Sequence, residues 1–405
     1  MTLGEPTGTR YDEFVGLIDS GSRDRALTFH WAIPSNEWLA PLALPPIASL
    51  RLRHARESIL LEALLAHHGG WPAVSYSRRR QFYSGRGRYH GTAYTYRTVV
   101  PMVDRLTDLG LLVNVIAPAN PHLGRQSVFR ATPTLLSTVS PTLIAKAKCC
   151  PREFVRLRNS DKHLVDYQET QKTRLMRRFL AEQNEALGSI NIDLSGPEIW
   201  LDGAVLRAGE NVRLFPAQYC VYRVFNSDWK HGGRLYGGWW QNAPKNIRAM
   251  IRLDGQSTKE EDHPQLHPRL LYARAGHDLR DDAYTLAGWD RTHCKIAFNV
   301  LLNASNYPSA RAVIAHEIGG DNAFPRAGLL IKEMKKRHAA VRGYFHTGVG
   351  LELQNQDAEM AEFILKRLLK RGIVALPIHD SFVVQERHID DLKEAMNASF
   401  SLVRR

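Results

Sequence analysis

Gly372-Ile373-Val374-Ala375-Leu376-Pro377-Ile378-His379-Asp380-Ser381-Phe382-Val383-Val384 decides the reading of this chain. Apolar residues run into a His-Asp pair and apolar residues run out again. That is the pattern of a β-hairpin with its polar tip at the turn. A carboxylate buried in such a hairpin is costly unless it is paired or holds a cation. Asp380 reads either as a metal-binding carboxylate or as a turn Asp preceded by an unrelated His, and turn Asp residues are common.

The surrounding chain is long enough to build a large fold around that hairpin. Its 405 residues, 44% of them hydrophobic, imply a globular protein of two or three domains. No apolar run of about 18 residues is present, so no membrane helix is expected. Met1 to Arg10 is polar and lacks the apolar stretch of a secretion signal. Cys149, Cys150, Cys220 and Cys294 fit neither a zinc spacing nor a disulfide framework, and a cytoplasmic location is expected. Nothing in the sequence sets an oligomeric state.

The net charge of +13 implies a polyanionic partner, nucleic acid first. The charge is clustered. Ser77 to Arg97 carries Arg78, Arg79, Arg80, Arg86, Arg88 and Arg97 without one acid, interleaved with Tyr76, Phe82, Tyr83, Tyr89, Tyr94 and Tyr96. Cations for phosphates with flat rings for bases make this stretch the candidate nucleic-acid surface.

Four divisions are expected. Residues 1–47 are irregular and unassigned. Residues 48–140 read as helix, basic stretch, helix and a two-stranded wing, an arrangement like a winged helix-turn-helix. Ile59, Leu60, Leu61, Leu64 and Leu65 mark the first helix, and Val99, Val100, Val103 and Leu106 the second. Residues 141–194 hold a basic helix with Lys172, Arg174, Arg177 and Arg178. Residues 195–405 form a mixed α/β domain.

Within that last domain four segments carry chemistry. Glycines surround Arg234 in Gly232-Gly233-Arg234-Leu235-Tyr236-Gly237, where backbone can approach another chain closely. An Asp254-Gly255 hairpin leads to Glu260-Glu261-Asp262, an acidic strand end before a helix that contains His267. Arg291 and Lys295 lie one helical turn apart, able to hold a triphosphate or to form a plain basic face. Gln356-Asp357 begins a helix that leads to the His379-Asp380 hairpin.

Gly-Arg-Leu, then Asp-x-x-Gln-x-x-x-Arg, then Arg-x-x-x-Lys, then His-Asp resembles the ordered motif set of family A DNA polymerases and the related single-subunit phage and mitochondrial RNA polymerases. The resemblance covers roughly residues 220–400. It implies an α+β, multi-domain fold: a right-hand polymerase core with an antiparallel palm sheet, helical fingers and a small thumb over 141–194, preceded by the winged-helix-like domain. It implies that Asp262 and Asp380 bind two Mg²⁺ ions, with Mn²⁺ as a substitute. Arg291 and Lys295 would grip the nucleotide, and Arg234, Gln356 and His379 would contact the nucleic acid near the growing end. His267, Asn299 and Asn303 would line the nucleotide.

The chain departs from the family at three of these positions. His267 stands for a Glu of the DNA enzymes, Asn299 for their aromatic, and Asn303 for a Tyr of both branches. Asp262 to Arg269 looks more like the DNA enzymes, whereas Gln356-Asp357 and His379-Asp380-Ser381-Phe382 look more like the RNA enzymes. The expectation is a template-directed nucleotidyltransferase, DNA polymerase first and RNA polymerase or primase-like enzyme second. Its partners would be a DNA template-primer, nucleoside triphosphates or RNA, with no membrane. The rival of another class is a DNA-binding regulator on a catalytically silent polymerase core.

Overall fold

The computed structural model describes residues 24–33, 36–117, 126–149 and 151–401. They form a mixed α+β fold around three main apolar cores. Most of the unassigned N-terminal stretch, and the turn expected between the two wing strands, lie outside the described residues.

The first core is built on helix Leu50–Gly69. Its apolar stripe, Ile59, Leu60, Leu61, Leu64 and Leu65, is at most 1% exposed. The helix ends because Gly70 takes φ +71°. Gly70 N–H donates to the His67 carbonyl at 3.0 Å and Trp71 N–H to that of Ala66 at 2.9 Å, a pairing only a left-handed residue permits cheaply. Strand Val74–Tyr76, short helix Gly87–His90, helix Tyr96–Asp108 and strands Leu112–Val115 and Ser127–Ala131 follow. Ser127–Ala131 pairs antiparallel with both other strands.

This unit is larger than residues 48–140. Arg25–Ala26 adds a parallel strand beside Val74–Tyr76, and Trp31–Ala32 pairs with Lys148–Cys149. The segment is held by Glu62, fully buried on the first helix, which accepts from Arg25 Nε at 2.6 Å and Thr28 N–H at 3.2 Å. A Glu within the apolar run Ile59–Ala66 marks such a tether, but its partners lie far away in sequence.

The second core fills an antiparallel five-stranded sheet. Its order is Leu376–Ile378, Ser381–Gln385, Gln256–Asp262, Ile251–Leu253, Ile192–Leu194. The Asp254-Gly255 turn joins two of the strands, with φ of +51° and +73°, as the Asp-Gly signal requires. Residues 141–194 are not a separate thumb-like segment. Strand Val155–Arg158 pairs with Tyr222–Asn226, strand Ile192–Leu194 edges the main sheet, and helix Gln171–Ser189 buries Met176, Phe179, Leu180 and Leu187 in this same core.

The third core is helical, from Leu266–Arg274, Arg291–Asn303, Tyr307–Ile318 and Ala323–Arg337. Helix Gly350–Leu369 ties it to the sheet. Leu353 and Met360 enter the helical core, while Ala361, Ile364, Leu365 and Leu368 enter the sheet core.

Candidate functional site

The predicted hairpin forms, with Ile378 opposite Ser381 and His379-Asp380 as its two-residue turn. Phe382, Val383 and Val384 are at most 1% exposed, so the tip is anchored by apolar burial. His379 takes φ +57°. A left-handed non-glycine residue costs about 1–2 kcal/mol, and strain of that kind concentrates where a side chain must be aimed.

Strand Gln256–Asp262 lies beside the tip. Asp262 is opposite Ser381, and His263 N–H donates to the Asp380 carbonyl at 3.1 Å. The backbones carrying Asp262 and Asp380 are therefore neighbours. The structure also separates the three consecutive acids. Glu260 is engaged by Arg248 through two 2.8 Å bonds and by Ser381 Oγ at 3.0 Å. Glu261 lies 4.0 Å from Lys393. Asp262 is exposed and has no ion pair among the described residues.

Asp380 is half-buried, and its carboxyl is pushed above the ordinary range by burial and then by the charge of Asp357. It too has no ion pair among the described residues. Arg234, whose charge acts on it, is already engaged. Its Nε donates to Asp357 Oδ2 at 2.6 Å, and a terminal N–H donates to His267 Nε2 at 3.1 Å. Asp357 is 1% exposed. Burial pushes Asp357 up, but His267 and the Arg234 ion pair outweigh that and hold it below the usual range.

Asp357 is the residue the sequence reading left out of the site. Its signal was present: it stands one turn beyond Leu353 and one turn before Ala361, an acid on the buried stripe of its helix. Tyr284 was also missed. It is buried, its hydroxyl is pushed up to about 12 chiefly by burial, and it feels both Arg291 and Asp380.

The glycines around Arg234 serve an internal approach rather than another chain. A Cβ on Gly233, at φ +91°, would meet Phe225 at 2.7 Å, Arg223 at 3.0 Å and Asn355 at 3.1 Å. Asn355 Nδ2 donates to the Gly232 carbonyl at 3.1 Å. The strand thus lies flat on helix Gly350–Leu369, which brings Arg234 to Asp357.

The remaining residues divide by engagement. His379 packs edge-on against Tyr236, 5.5 Å between ring centres, and its titration is lowered by burial and then by Arg234. Buried atoms His379 Nδ1 and Gln356 Oε1 have no hydrogen-bond partner. Arg291 is exposed, with Nε 2.7 Å from Asp282 and its guanidinium 5.3 Å from the Tyr284 ring. Lys295 is exposed one turn on. Asn299 is half-buried, and its carbonyl accepts from Asn303 Nδ2 at 2.8 Å. Asn303 is exposed and abuts Gly350, where a Cβ would meet its side chain at 2.2 Å.

The basic-aromatic stretch also requires correction. Tyr76, Tyr83, Tyr89 and Tyr94 are core residues, 1–7% exposed, so their rings cannot stack on bases. Arg78 forms a two-bond ion pair with Asp104, at 2.6 and 2.8 Å. Arg86 is half-buried over the Phe82 ring at 3.8 Å. Arg88 reaches out of its unit to Asp166 at 2.6 Å, Glu169 at 2.6 Å and Glu153 at 3.4 Å, with Tyr167 beneath it at 4.1 Å. Arg79, Arg80 and Arg97 are exposed, with no ion pair among the described residues.

Two carboxylates of strand-end geometry offer hard oxygen donors. Among the described residues no group of three or more His, Cys, Asp or Glu gathers to hold a metal. Asp262 and Asp380 are the residues that could hold a hard divalent cation, whose other ligands would have to come from outside the protein. No helix among the described residues is long and apolar enough to cross a membrane. No family model matches the chain, and no curated protein matches it.

Proposed function

We propose that this chain is a template-directed nucleotidyltransferase, a DNA-dependent DNA polymerase in the first instance. The observation that carries the reading is the juxtaposition of Asp262 and Asp380 on neighbouring strand ends, both without an ion pair. Burial and then the charge of Asp357 raise the Asp380 carboxyl, so a cation bound there would relieve both. Bound Mg²⁺ would do so and stabilise the transferring phosphoryl group.

The chain's own residues divide the remaining work. Asp262 and Asp380 would hold the cations, whose charge would help to activate the 3′-hydroxyl and to stabilise the α-phosphate. Lys295, exposed one turn from Arg291, offsets charge on the leaving pyrophosphate. Asp282 holds Arg291 in place for the same triphosphate. Gln356 Oε1 and His379 Nδ1 are unfilled polar atoms suited to sugar or base edges at the growing end. Arg234 acts differently from the family expectation: with Asp357 and His267 it forms an internal strut behind Asp380. Arg79, Arg80 and Arg97 contribute phosphate contacts from the N-terminal unit.

Primer extension with Mg²⁺ and either dNTPs or rNTPs tests the reading. Asp380→Ala and Asp262→Ala should each lower nucleotide addition by about a thousandfold or more, roughly 4 kcal/mol of transition-state stabilisation. Undiminished extension by Asp380→Ala protein would sink it. A preference for rNTPs would favour the RNA polymerase or primase-like reading, which the Gln356-Asp357 pair supports. Absence of extension by wild-type protein that binds DNA would favour the silent regulator, which the engagement of Arg234 and Asn303 supports.

A further inference from the structure

A second surface combines exposed rings and cations, and nothing in its sequence announces it. Helices Tyr307–Ile318 and Ala323–Arg337 bury Ile314, Ala327, Leu330, Ile331 and Met334 in the helical core. Their outer seam carries Tyr307, 41% exposed, and Phe324, 55% exposed. Each ring has a cation over it: Arg311 lies 5.5 Å from the Phe324 ring and Lys335 lies 5.7 Å from the Tyr307 ring. Arg311 is fixed there by donating through Nε to the Phe324 carbonyl at 3.0 Å. Gly328 sits between the two pairs, where a Cβ would lie 3.3 Å from the Tyr307 hydroxyl and 3.6 Å from Arg311 Nε. The result is one continuous strip, ring, cation, glycine gap, ring, cation.

We propose that this seam binds single-stranded nucleic acid. Burial does not explain the exposed rings, and a purely apolar protein contact does not explain the charge. From Arg311 to Arg337 the cations Arg311, Arg326, Lys332, Lys335, Lys336 and Arg337 outnumber the acids Glu317, Asp321 and Glu333. Exposed rings beside cations are how strands are held without sequence preference: bases stack on the rings and phosphates meet the charges. Phe324 to Lys335 spans about 16 Å of helix, roughly five stacked nucleotides at 3.4 Å each. A duplex keeps its bases stacked inward and cannot use the rings, so the fit is to a single strand. The proposal stands apart from catalysis, because it needs neither Asp262 nor Asp380.

The test is fluorescence anisotropy of a labelled mixed-sequence oligonucleotide, single-stranded or annealed, with full-length protein in EDTA. Tyr307→Ala/Phe324→Ala should bind the single strand about thirtyfold more weakly, the effect of losing two stacking rings. Duplex binding and thermal midpoint should stay within error, since both rings are exposed. Tyr307→Trp/Phe324→Trp should restore the affinity. Lys335→Ala should lower the salt dependence by about one phosphate contact. A loss smaller than tenfold in the alanine variant overturns the proposal. So does a single-strand affinity that is unchanged while wild-type self-association, followed by sedimentation, is abolished; the strip would then be an interface between copies. Asp380→Ala should retain single-strand binding even where it loses extension, which separates this proposal from the catalytic one.

Discussion

Ser77–Arg97 and the Asp380 tip are both polar constellations set among apolar residues, and the fold treats them in opposite ways. In Ser77–Arg97, Arg78, Arg88 and four tyrosines turn inward to partners, while Arg79, Arg80 and Arg97 stay exposed. Arg78 meets Asp104, Arg88 meets three acids, and four tyrosines complete the core. At the tip, Asp380 has no ion pair among the described residues, and His379 Nδ1 has no hydrogen-bond partner. A charge in a sequence therefore says little about its availability. What matters is whether folding supplies the opposite group, since a polar group with its partner beside it is structural.

The contrast can be broken most severely at Asp357. Removing it in Asp357→Ala leaves Arg234 poorly exposed and without its acid, which should cost about 3–5 kcal/mol. Urea unfolding measures this. A cost below about 1 kcal/mol would mean that Arg234 relaxes to solvent and the strut is not structural.

Arg88→Ala should come next, at about 2–3 kcal/mol, because Glu153 is 5% exposed and loses one of its two cations. The effect should also depend on pH. Glu169 is held down at about 2, first by the hydrogen bond from Arg177 and also by that from Arg88. A depressed acid contributes stability that is complete above its unfolded value, 4.5, and is lost as pH falls through its folded value. The gap between wild type and Arg88→Ala should therefore narrow between pH 4.5 and about 2. A gap constant across that window would exclude Glu169 from the cluster's energetics.

Asp380→Asn should act in the opposite sense. A raised acid binds its proton more tightly folded than unfolded, so its ionisation destabilises the fold as pH rises through and above 3.8. In EDTA the variant should melt higher than wild type at pH 7, with the difference vanishing in acid. A lower melting point at pH 7 would mean that the carboxylate is compensated within the protein.

The smallest stability effect should come from Arg79→Ala/Arg80→Ala/Arg97→Ala, since all three are exposed. Duplex binding should nevertheless lose up to about three phosphate contacts in its salt slope. An unaltered slope would leave the whole Ser77–Arg97 stretch structural.

By itself the sequence determined the elements whose signals are local. The His379-Asp380 hairpin, the Asp254-Gly255 turn, the strand ending at Asp262, and the helices around Ile59–Leu65 and Val99–Leu106 all follow from periodicity and turn chemistry read over a few residues. They form close to where those signals place them. Tertiary structure alone decided who meets whom. It gave Arg234 to Asp357, Arg88 to Glu153 and Glu169, and Glu62 to Arg25, across 123, 65, 81 and 37 residues. It also turned the tyrosines of the basic stretch inward and left Tyr307 and Phe324 outside. Local pattern is set by backbone geometry that neighbours share. Pairing and exposure are set by packing between distant segments, and composition alone does not encode which cation reaches which acid.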